Sequence, residues 1–160
     1  MDRFHKAFEM AVKAHEGQIR ELTGSPFIVH PLAVMGILRT FRVKDEDVLI
    51  AAVLHDVVED SSIELEEVEE NFGNRVANLV NQATKKEDGK FIITDKEGAI
   101  LKMADLIHNG LTMPKDKKQL KERYIIRVEL LYKHYKDIMK EHPELLNYLK
   151  KILKRVKASR

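Results

Sequence analysis

The chain of 160 residues contains no cysteine and no tryptophan, only four prolines and seven glycines, and few aromatic side chains, six Phe and four Tyr. Without cysteine there can be no disulfide framework, thiol nucleophile, thiolate zinc site or iron–sulfur cluster. Any metal must therefore be held by nitrogen and oxygen. No apolar run approaches the roughly 20 residues that span a bilayer, and the N-terminus lacks the charged, apolar, small-residue order of a signal peptide. The expectation is a cytoplasmic protein with no membrane partner. Neither a GxxxxGKS/T loop nor a GxGxxG loop occurs, so bound phosphates would have to be met by metal and side chains. No repeat of 20 to 50 residues is present.

What the chain does have is 44% hydrophobic and 34% charged residues, the mixture of a soluble globule, and a length that fits one domain over 1–160. The formal net charge of +2 hides a division along the chain. Residues 1–110 hold 13 Lys/Arg against 20 Asp/Glu, and residues 111–160 hold 15 against 6. From Asp45 to Asn71 there are eleven carboxylates and no Lys or Arg. Glu64 to Glu70 reads as a solvated helical face, whereas Asp56, Glu59 and Asp60 adjoin apolar residues and call for another explanation.

Apolar residues recur at helical spacing from end to end, which predicts an all-α bundle of about eight helices. Asp2 caps a first helix with the stripe Phe4, Phe8, Ala11, Val12, His15 and Ile19, and Pro31 opens a second just after His30. The third, about Glu46 to Val58, carries the run Val48 to Leu54, apolar all round, and should be the central buried helix. Ser61 or Ser62 caps a short acidic helix ending at Phe72-Gly73, and a fifth ends near Lys85. The sixth spans about Lys96 to Asn109, with Gly110 as its stop. Tyr124, Val128, Leu131, Tyr135 and Ile138, then Leu145, Leu149, Ile152 and Val156 after Pro143, read as a C-terminal helical hairpin.

Four candidate ligands stand out on three helices: His30, the adjacent pair His55-Asp56, and Asp105. Two imidazoles and two carboxylates suit a borderline-hard divalent ion such as manganese, iron or zinc. Glu59 lies four residues after His55 and Asp60 four after Asp56, one helical turn away on the same side, and Asn109 stands likewise to Asp105. That supplies a metal, two acids able to take a proton from water, and an amide to position a substrate. His15 belongs to the first apolar stripe and reads as a core histidine or a support for the ligands. His108 does not repeat a ligand position.

Three segments, AHEGQIRELTGSPFIVHPLAV (14–34), AAVLHDVVEDSSIELEEVEENFG (51–73) with VNQATK (80–85), and KMADLIHNGLTM (102–113), resemble the HD-domain hydrolases of the RelA/SpoT family, the guanosine polyphosphate 3′-pyrophosphohydrolases. They stand in family order over most of residues 1–113, and the short chain resembles the stand-alone small alarmone hydrolases. The resemblance implies a compact HD-domain bundle in which His30, His55, Asp56 and Asp105 hold one divalent metal, usually Mn2+, while Glu59 and Asp60 polarise the attacking water. It also implies cleavage of the 3′-pyrophosphate of guanosine tetra- or pentaphosphate to GDP or GTP. Arg20 falls where a family Arg packs on the purine, Asn109 and Thr112 where the nucleoside pocket is lined, and Lys85 where a basic residue faces phosphate.

Three departures from the family pattern change its charge. Glu21 stands where Lys usually follows the Arg, and ADRLHNMRT has become ADLIHNGLT, placing Leu106 and Leu111 where Arg is common. Arg123 and Arg127 in the hairpin are the candidates to restore the missing countercharge. The departures also admit a different nucleotide substrate, an adenosine alarmone or NADPH. The basic final 50 residues admit a nucleic-acid-binding module, against which stand the apolar stripes of the hairpin and the lack of a base-reading motif. The sequence leaves homo-oligomerisation open.

Overall fold

Aspartates set three of the helix starts in the structure, a computed structural model that describes residues 2–159. Asp2 accepts from Phe4 N–H at the head of α1 (Arg3–Ala14). Asp45 accepts from the amides of Asp47 and Val48 at the head of α3 (Glu46–Leu54). Asp95 accepts from Gly98 N–H at 2.8 Å to open α7 (Lys96–Leu111). Each satisfies amides that a helix leaves without an internal partner. The remaining helices are α2 (Val29–Thr40), α4 (Val57–Asp60), α5 (Leu65–Phe72), α6 (Asn74–Ala83), α8 (Lys118–Met139) and α9 (Pro143–Ala158). Among the described residues the only β pairing is an isolated bridge between Ile19 and Pro26.

Every residue from Val48 to Leu54 is buried, so α3 is the central helix the sequence predicts. α1, α2, α6 and α7 surround it. α7 is the second buried element, with Gly98 through Ile107 withdrawn from solvent. α8 and α9 form the predicted hairpin over α7, burying Tyr124, Val128, Leu131, Leu145, Leu149, Ile152 and Val156. Arg155 donates to Gly110 O at 2.8 Å, a cation closing the carbonyl end of α7.

Several boundaries differ from the sequence reading. The third helix does not run to Val58: it stops at Leu54, His55 and Asp56 form a turn, and the one-turn α4 follows, which makes nine helices among the described residues. Pro31 is the third residue of α2 rather than its first. Neither Ser61 nor Ser62 caps α5, whose N-cap is Glu64; the Ser61 hydroxyl instead donates back to Val57 O. α1 ends at Ala14 and buries its small residues Ala7 and Ala11, leaving Phe8, Val12 and Ile19 37%, 41% and 64% exposed. Gly110 is no stop. It lies inside α7, where a Cβ would meet Tyr124 Oη at 2.3 Å and Ile152 Cγ2 at 2.4 Å, so glycine there permits close approach of the hairpin.

Candidate metal centre and cleft

The turn between α3 and α4 brings His55 and Asp56 to the end of the core, and α2 and α7 deliver His30 and Asp105 opposite them. His30 Nε2 lies 3.2 Å from Asp105 Oδ1 and 3.5 Å from Asp56 Oδ2. His55 Nε2 lies 3.1 Å from Asp56 Oδ2 and 3.8 Å from Asp105 Oδ1. Donors about 2.0–2.2 Å from a shared ion are roughly 3.0–3.5 Å apart, so these spacings suit one centre. One ligand atom each from His30, His55 and Asp56 lies within 4.8 Å of the others, and Asp105 joins through the two imidazoles.

The outer contacts hold each ring and carboxylate in place. His55 Nδ1 faces Ala52 O at 2.8 Å, which assigns its proton to Nδ1 and leaves Nε2 buried without a hydrogen-bond partner. That nitrogen, aimed at two carboxylates, fits a divalent metal. His30 Nδ1 meets His108 Nδ1 at 2.6 Å. Asp105 accepts from Asn109 Nδ2 at 2.6 Å and pairs with Lys102 Nζ at 2.9 Å.

Charge in the cluster is strongly coupled. Burial opposes ionisation of Asp56, but the adjacent His55 outweighs it and draws the carboxyl down to about 2. Burial likewise opposes the charged form of Asp105, and Lys102 with the two imidazoles carries it well below the ordinary range. His55 is disfavoured as a cation by burial and favoured by Asp56 and Asp105, with a net rise to about 9. The two carboxylates thus demand positive charge at their common focus, supplied by a proton or a metal. His108 is drawn down to about 4 by burial and by His30, so it is neutral at pH 7.

A cleft of about 210 Å³ opens from the cluster. Glu59 and Asp60 both line it, as the spacing predicts, although from α4 rather than from the continuous third helix expected. Burial, followed by Asp56 and Glu59, pushes the Asp60 carboxyl up to about 6. Glu59 accepts from the Lys85 amide at 3.0 Å and faces the Lys85 ammonium at 3.7 Å, so Lys85 contacts Glu59 and does not line the cleft. Arg20, Asn109 and Thr112 come together: the buried guanidinium donates to Asn109 Oδ1 at 2.7 Å and to Thr112 Oγ1 at 2.8 Å. Arg127 lines the cleft and Arg123, one turn earlier on α8, does not. Arg123 lines a pocket on the rim that it shares with Glu21 and Lys117.

Sequence reasoning missed Lys102 and His108. Lys102 is only 4% exposed, pairs with Asp105, and lies 3.6 Å from the centroid of Phe91. Its signal was the i,i+3 spacing to Asp105, the same spacing that carries His108 on the other side. His15 is buried, bonds Gln18 through Nδ1 at 2.9 Å and stacks on Phe27, which meets His30 edge-on. It supports the ligands from behind, as one of its two readings has it.

Comparison with known proteins gives concordant results. A probable GTP pyrophosphokinase of Mycobacterium leprae is 38% identical over 77% of this chain and 18% of its own length. The bifunctional (p)ppGpp synthase/hydrolase SpoT of Escherichia coli K12 is 35% identical over 69% of this chain and 18% of its own length. The chain therefore spans under a fifth of these curated relatives. A solved structure, described as a metazoan ortholog of SpoT that hydrolyses ppGpp, shares the fold with a TM-score of 0.80 and 24% identity, covering 97% of this chain and 96% of that one. Among the described residues no helix is long and apolar enough to cross a membrane. The HD domain model matches residues 7–99, which include His30 and the adjacent pair His55-Asp56 with the buried helix that presents it, and the chain belongs to the HD-domain family.

Proposed function

We propose that the chain, as a single domain over 1–160, is a metal-dependent phosphohydrolase that removes the 3′-pyrophosphate of guanosine tetra- or pentaphosphate, giving GDP or GTP and pyrophosphate. The observation that carries the reading is the convergence of His30, His55, Asp56 and Asp105 at the end of a cleft that also holds Glu59, Asp60 and three cations. The relatives named for (p)ppGpp hydrolysis and the shared fold support it.

In this reading His30, His55, Asp56 and Asp105 hold one divalent ion, Mn2+ by resemblance. Such an ion supplies a Lewis acid that activates water and polarises a phosphoryl oxygen. Asp60, with its carboxyl near 6, accepts the proton of the attacking water at neutral pH. Glu59, tethered at Lys85, orients that water. The water oxygen bonds to phosphorus, the bond to the ribose 3′ oxygen breaks, and that oxygen takes up a proton. Arg20, held flat by Asn109 and Thr112, stacks on the purine. Lys102 and Arg127 offset the negative charge of the pyrophosphate.

A second reading keeps the site and changes the nucleotide, to an adenosine alarmone or NADPH. Two observations favour it: Glu21 lines the cleft beside Arg20, and Leu106 is fully buried, so α7 gives no cation there. A turnover panel with manganese across guanosine and adenosine alarmones and NADPH separates the two. Pyrophosphate release from the guanosine compounds supports the first; pyrophosphate release from the adenosine alarmones alone, or orthophosphate release from NADPH alone, supports the second.

A further inference from the structure

Beyond Phe91, next to the cleft, a groove of about 550 Å³ lies between the Lys90–Phe91 segment and the outward face of α8. Its floor includes Ile126 and Leu130, which are 56% and 50% exposed although the opposite face of α8 is already packed. Two large aliphatic side chains four residues apart form one apolar strip that gains by being covered. The rim carries an excess of cations. Arg123 and Arg127 line the groove together with Lys90, which pairs with the exposed Asp88 beside it at 3.0 Å, and no carboxylate is among the lining residues. The acids of this part of α8 are engaged elsewhere, Glu122 with Lys118 and Glu129 with Lys157. The other apolar groove, beside Phe8 and Val12, has Glu9 and Glu16 in its lining and lacks this bias.

The volume falls within the range of small-molecule pockets. The rings of Phe91, one face of which meets Lys102, and Tyr135 lie in the lining beside two guanidinium groups, an aromatic surface next to anion donors. We propose that this groove binds an aromatic organic anion, a planar ring carrying a phosphate, sulfonate or carboxylate, at a site separate from the metal centre. Phe91 and Arg127 line both spaces, so such a ligand touches the wall of the cleft.

The probe is anilinonaphthalene sulfonate, titrated by fluorescence into the full chain, with circular dichroism confirming that each variant is folded. Saturable binding of one probe per chain is expected, weakened about tenfold or more by Ile126→Asp and by Leu130→Asp. Binding should persist in Val12→Asp, in the other apolar groove, and in Asp56→Ala, which abolishes the proposed turnover. The titration is therefore independent of the catalytic reading. The proposal is overturned if both groove variants bind as wild type, if Val12→Asp or Asp56→Ala removes binding, or if sedimentation shows that Ile126→Asp only disrupts a dimer of this chain.

Discussion

His30 and His108 face each other through their Nδ1 atoms at 2.6 Å, with the rings stacked at a centroid distance of 4.9 Å. His108 is neutral near pH 7, so one ring donates and the other accepts, and the contact fixes which face of His30 turns its Nε2 toward Asp56 and Asp105. His108→Ala should leave the fold intact and weaken Mn2+ binding by about 10- to 100-fold, measured by calorimetric titration. An unchanged affinity would show that His30 is oriented by its helix alone.

Lys102 and Asp105 form a buried pair at 2.9 Å, with both side chains under a tenth exposed. Lys102→Met keeps most of the stem and removes the charge, leaving Asp105 with the imidazoles of His30 and His55 and the Asn109 amide. The metal-free variant should lose about 3 kcal/mol of stability in urea unfolding. The deficit relative to wild type should narrow when Mn2+ is added, because a bound cation meets the same carboxylate.

The central apolar helix, the Asp2 cap and the C-terminal hairpin were legible because each rests on local chemistry. The four candidate ligands and the two acids Glu59 and Asp60 could be picked out by residue type and spacing, and the structure brings them to one cleft, whereas Arg20, Asn109 and Thr112 were singled out only through the family resemblance. The break after Leu54 was not legible, since Val57 and Val58 continue the helical pattern and the turn lies where Asp56 and His55 meet His30 and Asp105 from helices distant in sequence. Lys102 is not legible because lysine ordinarily reads as exposed, and its burial depends on the Asp105 carboxylate, the Ala83 carbonyl and the Phe91 ring meeting its ammonium. Gly110 looked like a stop because the close approach of Tyr124 and Ile152 comes from helices far along the chain.

Gly110→Ala tests that last contact. A methyl group at this position meets Tyr124 Oη and Ile152 Cγ2 inside van der Waals distance, and α8 and α9 must shift to admit it. The expected cost is about 1–3 kcal/mol, against the small gain that alanine brings to an unobstructed helix. Urea unfolding of the two proteins measures the difference.

Asp60 should make the metal-free protein sensitive to pH. Its folded-state value near 6 lies above the ordinary 3.8, so the folded protein holds this proton more tightly than the unfolded chain does. The stability this contributes is present in full below the lower value and is lost as pH rises through about 6. Asp60→Asn should therefore melt higher than wild type at pH 7.5, with the difference closing toward pH 4. The same variant should lower kcat by about 100-fold or more, since the amide takes up no proton.

Guanosine tetraphosphate incubated with Mn2+ and wild type or Asp56→Ala, quenched with EDTA and read by phosphorus NMR, tests the proposed reaction at its centre. Wild type should convert it to GDP and inorganic pyrophosphate in equal amounts, and Asp56→Ala, deprived of a proposed ligand at the heart of the cluster, should leave it intact. Release of orthophosphate in place of pyrophosphate, or equal turnover by the variant, would contradict the proposed reaction.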